Sequence, residues 1–418
     1  MIYTSTIVTL KSKALALACI LLASIIQSCG SDNGEVKDPP VHEVKQVVKT
    51  NPMQVYMHYM TWFQGKSVSG YWGSHWRMAN KNPDVIVDET TGKRQIASHY
   101  YPLIGPYDSK DPDVVEYHLL LMKYAGVDAV LIDWYGSHTL NDYRLNLLGT
   151  NALIDKTDDV GMKFSVVYEE YTAGKVEEST SKTAIQAAQA DMLYLKQNYF
   201  SKEEYLEIND VPVLLTFGPR FFQQPSQWSE IFSVLGTKPK FLPLWNHGGL
   251  TGETDNGEFS WVDFNASLSE LNSFYNKGPH VEILIGSAYP RFHDFYEEGG
   301  WGDSYGYVAD NAGATLQATL NKATERNANY LQLVTWNDFG EGTVIEPTLE
   351  DEFSSLQAIQ EFTGVSYGLE ELELIHTYYL RKKELKGNAE AAVTLEKIFK
   401  CLSELEVDEA KQLMEQLN

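Results

Sequence analysis

Short apolar runs alternate with amphipathic segments along most of the chain. Seven runs have the length and composition of strands, at residues 55–59, 127–132, 163–167, 211–217, 241–245, 281–285 and 330–335. Helix-like segments separate them, for instance across 183–199 and 314–328. This alternation predicts parallel βα units. Their number and the chain length favour an α/β fold of the (β/α)8 TIM-like barrel type, with long βα loops, over a doubly wound sheet.

One repeat unit shows the local signals clearly. Asp111-Pro112 provides a helix cap and a first-turn proline, and Gly126 ends the helix. Lys123 falls in the last turn, where a cation is favoured by the helix dipole. The apolar run 127–132 follows at once, as expected for a strand that is buried on both faces.

The composition changes after Pro347 to Leu, Glu, Lys and Ala with few aromatic residues. The stretches 352–385 and 389–417 are predicted to form amphipathic helices. We therefore divide the body into a catalytic domain at 52–350 and a C-terminal helical extension at 351–418, to which we assign no chemistry.

The first 28 residues have the pattern of a secretory signal, with two lysines followed by an apolar stretch. Ile26-Gln27-Ser28-Cys29 resembles a bacterial lipobox, which predicts lipidation at Cys29 and a membrane contact through that lipid anchor alone. Residues 29–51 would then be a flexible tether. This predicts an outer membrane lipoprotein, at the cell surface or on the periplasmic face. An ordinary cleaved signal peptide and a short buried helix are the alternatives.

The net charge of the chain limits the classes of molecule that it can bind. The 418 residues include 33 Lys and Arg against 57 Asp and Glu, a net charge of -24. Such a surface repels phosphate backbones, and no local basic patch offsets it, so we expect no nucleic-acid partner. A neutral or cationic ligand fits better.

Polar and aromatic residues concentrate where the predicted strands end, which is where (β/α)8 barrels carry their reacting groups. Flat Trp and Tyr rings cover the C–H faces of a sugar, while carboxylates and amides bind its hydroxyls. Glycosidic cleavage also needs two carboxyl groups, one to protonate the leaving oxygen and one to assist the attack. Asp338 and Glu341 lie in one glycine-containing loop and could act on a single bond.

Each of these features also has a structural interpretation. Asp338 could cap the next helix, Glu341 could be a solvated loop acid, and single aromatic residues usually belong to the core. His75, His99 and His247 have no metal-ligand spacing, so we predict neither a metal nor a cofactor. The joint occurrence of carboxylates and aromatic residues at strand ends favours function.

Several motifs resemble those of glycoside hydrolase family 99, the endo-α-mannosidases. The most specific is the segment 336–343, Trp-Asn-Asp-Phe-Gly-Glu-Gly-Thr, followed by Ile345-Glu346-Pro347. Further matches are Gly-Tyr-Trp at 70–72 with His75-Trp76, Tyr-Tyr-Pro at 100–102, and Asp-Trp-Tyr-Gly at 133–136. The Trp-Asn-Asp-x-Gly-Glu pattern is closer still to family 71, the α-1,3-glucanases. The chain thus resembles a group between the two families.

The resemblance implies a metal-free barrel that cleaves α-glycosides. By position, Glu341 matches the general acid and Asp338 the assisting base. The base is Glu in family 99, where it is thought to deprotonate the sugar's own 2-hydroxyl with overall retention. Because Asp is shorter by about one C–C bond, water activation stays open as an alternative. Glu169 resembles a substrate-binding acid, although strand alternation does not separate it from Glu170.

We therefore predict a glycoside hydrolase acting on an α-linked oligosaccharide or polysaccharide, of the α-mannan or α-glucan type. A non-catalytic glycan-binding lipoprotein on a hydrolase-like barrel and an inverting family 71-like glucanase are the alternatives. Substrate contacts are predicted at strand-end residues, namely Tyr59, His75, Trp76, Tyr101, Asp133, Trp134, Glu169, Tyr171, Asn246, Tyr289, Trp336 and Asn337.

Overall fold

The computed structural model describes residues 44–253 and 257–417. Within these ranges eight parallel strands form a barrel: β1 (Gln54–Tyr59), β2 (Ala129–Trp134), β3 (Lys163–Tyr168), β4 (Val211–Thr216), β5 (Lys240–Pro243), β6 (Gly257–Phe259), β7 (Ile283–Ala288) and β8 (Tyr330–Leu333). Each strand pairs with the next, β5 and β6 through the bridge between Leu244 and Phe259. The barrel closes where Tyr330 of β8 lies opposite Gln54 of β1. The predicted (β/α)8 architecture is confirmed.

A helix follows each strand, at Pro112–Tyr124, Tyr143–Val160, Ala184–Asn198, Pro225–Phe232, Gly248–Thr251, Ser269–Tyr275, Ala314–Glu325 and Ser354–Thr363. Their boundaries follow local chemistry. The Asp111 side chain accepts a hydrogen bond from the Asp113 N–H at 3.1 Å, and Thr183 and Gln186 form a reciprocal capping box. Gly126, with φ of 78°, turns the chain from the first helix into β2.

Shorter elements lie in the connections. They are the helices Ser74–Arg77, Tyr171–Ser179 and Tyr296–Gly299, the 3-10 turn Gly278–His280, and the strands Ile86–Asp88, Lys93–Arg94, Glu207–Ile208, Phe292–His293 and Tyr307–Val308. The strand β6 is absent from the sequence prediction. It has only three residues, too few for a periodic signal.

The C-terminal region differs from the predicted pair of helical stretches. It contains four helices, Ser354–Thr363, Leu369–Glu384, Ala389–Ser403 and Val407–Glu415, within the described residues. Left-handed residues, Gly364 at φ 68° and Leu405 at φ 62°, interrupt them. The first of the four completes the barrel, since Thr363 Oγ1 donates to the Ala125 carbonyl at 2.9 Å. The barrel therefore extends past the boundary predicted at residue 350.

The Leu369–Glu384 helix packs on the first barrel helix through aromatic rings, with Tyr379 5.0 Å from Tyr117, and through ion pairs. Lys383 Nζ lies 2.8 Å from carboxylate oxygens of both Asp111 and Asp113, and Lys382 pairs with Glu116. Lys123 is buried beneath them and donates to three backbone carbonyls, of Lys45, Val160 and Ser403, at 2.5, 2.9 and 2.8 Å. Lys382 and Lys383 of the C-terminal extension thus fix it to the first barrel helix.

The N-terminal predictions fall largely outside the described residues. The signal segment 1–28 and the lipidation residue Cys29 both lie there. Of the predicted tether, residues 44–51 are described, and they are hydrogen-bonded to the body rather than free. For example, the Asn51 N–H donates to the Thr363 carbonyl at 3.1 Å. No helix among residues 44–253 and 257–417 is both long and apolar enough to cross a membrane.

Candidate active site

A cavity of about 620 Å³ opens at the C-terminal ends of the barrel strands. Six of the residues predicted from the sequence line it: His75, Asp133, Glu169, Tyr171, Asp338 and Glu341. They come from the end of β2 and from the loops after β1, β3 and β8, so only the closed barrel brings them together. The predicted carboxylates therefore share one ring-lined cavity.

The loop after β8 presents two acids in a tight turn. Asp338 Oδ1 accepts the Glu341 N–H at 2.9 Å, and the Thr335 hydroxyl accepts the Asp338 N–H at 2.8 Å. On the outer side, the backbone N–H groups of His293 and Phe295 donate to the carbonyls of Glu341 and Gly340. The turn is thus held from both sides, and both carboxyl groups face the cavity.

The structure separates Glu169 from Glu170. Glu169 lines the cavity, and its Oε2 is buried without a hydrogen-bond partner. Glu170 instead turns to the loop after β4, where its carboxylate accepts the N–H groups of Phe221 at 2.9 Å and Phe222 at 3.2 Å. Glu169 is available to a ligand, whereas Glu170 holds a loop in place.

Five acids line the cavity, one of them the exposed Asp303, and burial gives the other four unequal proton affinities. Burial, and next the charge of Asp338, raises the pKa of Glu341 well above its ordinary value. Burial, with the charge of Glu169, does the same for the pKa of Asp133. Burial raises the pKa of Glu169 to about 7. Burial also raises the pKa of Asp338 to about 6, opposed by the N–H groups of Glu341 and Gly340. Near neutral pH Glu341 is a proton donor and Asp338 is ionised.

Arg220 is the one lysine or arginine among the described residues that line the cavity. Its guanidinium lies over the rings of Phe217, at 5.1 Å, and Tyr171, at 5.7 Å. Its charge lowers the pKa of Glu169, opposing the effect of burial. The cavity is therefore strongly acidic, with a single compensating cation.

Aromatic rings form much of the wall. Trp62 stacks on His75 with centroids 4.2 Å apart, and Trp261 meets His58 edge-on at 4.8 Å. Burial lowers the pKa of His58 to about 4, so this imidazole is neutral near pH 7. The lining residues that the sequence prediction missed include His58, Trp62, Tyr135, Phe217, Arg220, Trp261, Tyr296, Trp301 and Tyr305.

Several predicted sugar-contacting aromatic residues do not line the cavity, because the core takes them up. The Tyr59 hydroxyl lies 2.8 Å from His118 Nδ1, and Trp76 Nε1 donates to the Tyr107 carbonyl at 2.8 Å. Trp134 is fully buried against Tyr168, on the face of β2 that points toward the helices. Trp336 is fully buried as well, edge-on to His118.

The other four predicted contacts also have structural roles instead. The Tyr101 hydroxyl accepts the Arg94 N–H at 3.0 Å, and the Tyr289 hydroxyl donates to the Asp263 carbonyl at 3.1 Å. Asn246 is exposed and accepts from Lys277 at 2.9 Å. Asn337 is buried, and its amide binds both backbone groups of Met60. It joins the β8 loop to the β1 loop rather than contacting a ligand.

Two signals could have located the missed residues. Trp62, Phe217 and Arg220 follow strand ends by the same rule that selected Asp133. Trp301 and Tyr305 lie in a Gly- and aromatic-rich segment that precedes the Ala314–Glu325 helix. Among the described residues, no group of three or more His, Cys, Asp or Glu side chains could hold a metal ion.

The barrel, the paired loop acids and the ring-lined wall define a glycoside hydrolase-like class of protein. The model of glycosyl hydrolase family 99 matches residues 51–239, which include β1 to β4 but not the β8 loop. The chain is 26% identical over 125 residues to a glycoprotein endo-alpha-1,2-mannosidase-like protein of Danio rerio. It is also 26% identical over 124 residues to a glycoprotein endo-alpha-1,2-mannosidase of Mus musculus.

These curated matches cover 27% and 28% of this chain, and the chain spans only about a quarter of each relative, 27% and 26%. Solved structures extend the likeness over the fold. A family 99 endo-alpha-mannosidase of Bacteroides thetaiotaomicron, in complex with bis-tris propane, matches with a TM-score of 0.57 at 17% identity, covering 78% of this chain and 98% of that one. The predicted resemblance to a family 99-like group is thereby confirmed.

Proposed function

We propose that this protein is a glycoside hydrolase that cleaves an α-linked glycan, with Glu341 as general acid and Asp338 as assisting base. One observation carries the proposal. The two carboxyl groups of one short turn face the same ring-lined cavity, and their environments give them different protonation states. Paired carboxyls with separated pKa values are the arrangement that glycosidic cleavage requires.

In this mechanism Glu341 transfers its proton to the glycosidic oxygen as the bond from that oxygen to the sugar's anomeric carbon breaks. Asp338 accepts a proton, either from the sugar's 2-hydroxyl or from an attacking water. In the first route the 2-oxygen attacks the anomeric carbon to form a 1,2-anhydro sugar, which water then opens, and the two displacements give retention of the anomeric configuration. In the second route the water attacks the anomeric carbon directly, which gives inversion. NMR of a fresh digest distinguishes them by the anomer formed first.

The substrate class rests on similarity and on charge. The Mus musculus relative and the solved family 99 protein are named as endo-α-mannosidases, and the Danio rerio relative as endo-α-mannosidase-like, which favours an α-mannan-type glycan. The loop motif shared with α-1,3-glucanases keeps an α-glucan as the next candidate. A cavity lined by five carboxyl groups and one arginine disfavours uronic, sulfated or phosphorylated sugars.

The direct test is a screen of the purified protein on α-mannans and α-glucans, with products identified by mass. Glu341→Gln should lower kcat on the substrate found by about a thousandfold, since general acid catalysis contributes ~10²–10⁴-fold. Glu361→Gln, on an exposed helix position, is the matched control. Near wild-type turnover by Glu341→Gln would remove the acid assignment.

A non-catalytic glycan-binding protein is the second candidate, favoured by the short Asp at the base position. It predicts that every oligosaccharide stays intact after long incubation. It also predicts that binding survives loss of both carboxyl groups of the β8 loop. Calorimetric titration of the double variant Asp338→Asn/Glu341→Gln with the screened glycans separates the two candidates.

We also propose that Cys29 carries a lipid and anchors the protein in the outer membrane. The lipobox-like sequence supports this proposal. Metabolic labelling with a fatty acid should mark the wild type and leave Cys29→Ala unlabelled. Labelling of both proteins, or of neither, would contradict the lipid-anchor proposal. Protease accessibility on intact cells shows on which face of the outer membrane the protein lies.

A further inference from the structure

Three aromatic side chains continue the cavity wall out to the protein surface. Tyr296 is half-buried, whereas Trp301 and Tyr305 are 43% and 71% exposed. All three line the cavity, and they belong to the segment between β7 and the Ala314–Glu325 helix. Large exposed aromatic rings beside a ligand cavity indicate a contact surface rather than core packing.

Tyr296 contacts both of the other rings, and we call these three side chains the aromatic rim. Tyr296 and Trp301 are nearly parallel, with an angle of 16° and centroids 6.4 Å apart. Tyr305 meets Tyr296 edge-on at 5.1 Å. Trp301 also meets His75 edge-on at 5.4 Å, which joins the rim to the inner wall.

The segment that carries the rim is held in place by Asp294, which is 3% exposed. One carboxylate oxygen accepts the Tyr296 N–H at 3.3 Å. The other accepts the Ser304 hydroxyl at 2.9 Å and the Tyr305 N–H at 2.8 Å. Because one side chain binds both ends of the segment, the rings are presented in a defined position before any ligand arrives.

The rim lies on the side of the cavity where the general acid sits. The Tyr296 hydroxyl lies 3.5 Å from Glu341 Oε1, and the Phe295 N–H holds the Gly340 carbonyl. A general acid must lie beside the oxygen that leaves with the departing part of the glycan. The ring surface next to Glu341 is therefore adjacent to the departing part.

From this placement we infer that the aromatic rim binds the sugar units on the departing side of the cleaved bond, through their C–H faces, so that the enzyme selects chains that extend beyond that bond. The inference rests on the proposed hydrolase function, since it takes Glu341 as the acid. It names Trp301 and Tyr305 as specificity-determining residues.

The test compares two substrates of one sugar type. One is an oligosaccharide with at least two units beyond the cleaved bond. The other is the matched glycosyl fluoride, which has the same units on the near side and only fluoride in the departing position. Trp301→Ala should lower kcat/KM about tenfold or more on the oligosaccharide, as expected for the loss of one apolar ring surface. It should change kcat/KM on the fluoride by less than about twofold.

Phe264→Ala is the control, because Phe264 is 47% exposed, packs against Phe292 and does not line the cavity. Equal losses of Trp301→Ala on both substrates, or no loss on either, would overturn the inference. If the wild type cleaves no glycan, the hydrolase proposal is wrong, and calorimetry still tests whether the aromatic rim binds glycans. Oligosaccharide affinity that falls in Trp301→Ala but not in Phe264→Ala supports the rim, and unchanged affinity overturns it.

Discussion

Buried ionisable side chains differ in their hydrogen-bond partners at the two ends of this barrel. At the cavity, oxygens of Asp133, Glu169 and Glu341 are buried with no hydrogen-bond partner. Near the opposite end, Lys123 is buried but donates to three carbonyls. Burial lowers the pKa of Lys123 to about 8, so it remains an ammonium near neutral pH.

This difference distinguishes the cavity carboxyl groups, which are available to a ligand, from the Lys123 ammonium, which stabilises the fold. An unpartnered buried oxygen costs free energy, and three such carboxyl oxygens around one cavity indicate a site that a ligand satisfies. The Lys123 ammonium has its partners already, at the ends of the Tyr143–Val160 and Ala389–Ser403 helices. Removing a cavity carboxyl group should therefore reduce activity, and removing the Lys123 ammonium should reduce stability.

The largest effect is expected at the assisting base. Asp338→Asn keeps the oxygen that accepts the Glu341 N–H but removes the ionised carboxylate. We expect kcat to fall by about a hundredfold to ten-thousandfold, while the melting temperature stays the same or rises. Steady-state kinetics and calorimetry on one preparation check both halves. Loss of activity together with loss of stability would mean that Asp338 is mainly a structural turn residue.

Lys123→Met should reduce stability and leave activity unchanged. Three carbonyls lose their donor at once, and we expect the free energy of unfolding to fall by about 3 kcal/mol. Because Lys123 lies far from the cavity lining, kcat per folded molecule should not change. Chemical denaturation measures the free energy of unfolding, and kinetics normalised to the concentration of active sites measures kcat. Lys397→Met, at an exposed helix position, is the control, and equal unfolding curves for the two variants would contradict the structural role of Lys123.

The pH dependence of stability tests the cavity half of the comparison. Burial raises the pKa of Glu169 from 4.5 to about 7, so the folded state binds this proton more tightly than the unfolded state. The contribution of Glu169 to stability should therefore fall by about 3 kcal/mol as pH rises from about 4.5 to 7. Glu169→Gln should remove that part of the slope. A slope identical in both proteins would show that Glu169 is already satisfied in the fold.

The sequence was informative where a local rule decides the outcome. Strand ends placed Asp133, Glu169, Asp338 and Glu341 correctly at one cavity, because parallel strands all end at the same face. Lys123 was recognised as a helix-end cation from its position in the last turn. Its third partner, the Ser403 carbonyl, comes from 280 residues away and could not be seen in the local pattern.

The errors have two physical causes. A strand of three residues, β6, gives no periodic signal, and Trp261 behind it was missed with it. An aromatic residue at a strand end points either into the barrel or out toward the helices, and composition does not distinguish these directions. Asp133 and Trp134 are neighbours on β2 and point to opposite faces, so predicting both as ligand contacts was inconsistent with strand geometry.

The smallest predicted effect follows from that alternation. Trp134 packs among Tyr168, Tyr194 and Tyr199, with centroids 5.7 to 6.2 Å away, on the face that β2 turns toward the helices. Trp134→Phe keeps an aromatic ring there and removes an indole N–H that has no partner. We expect kcat/KM on the cleaved glycan to stay within about twofold of wild type, while Asp133→Ala, one residue earlier, should lower it at least tenfold. Comparable losses in the two variants would mean that Trp134 contributes to activity as much as Asp133 does. The distinction between the cavity-facing and the helix-facing side of β2 would then be wrong.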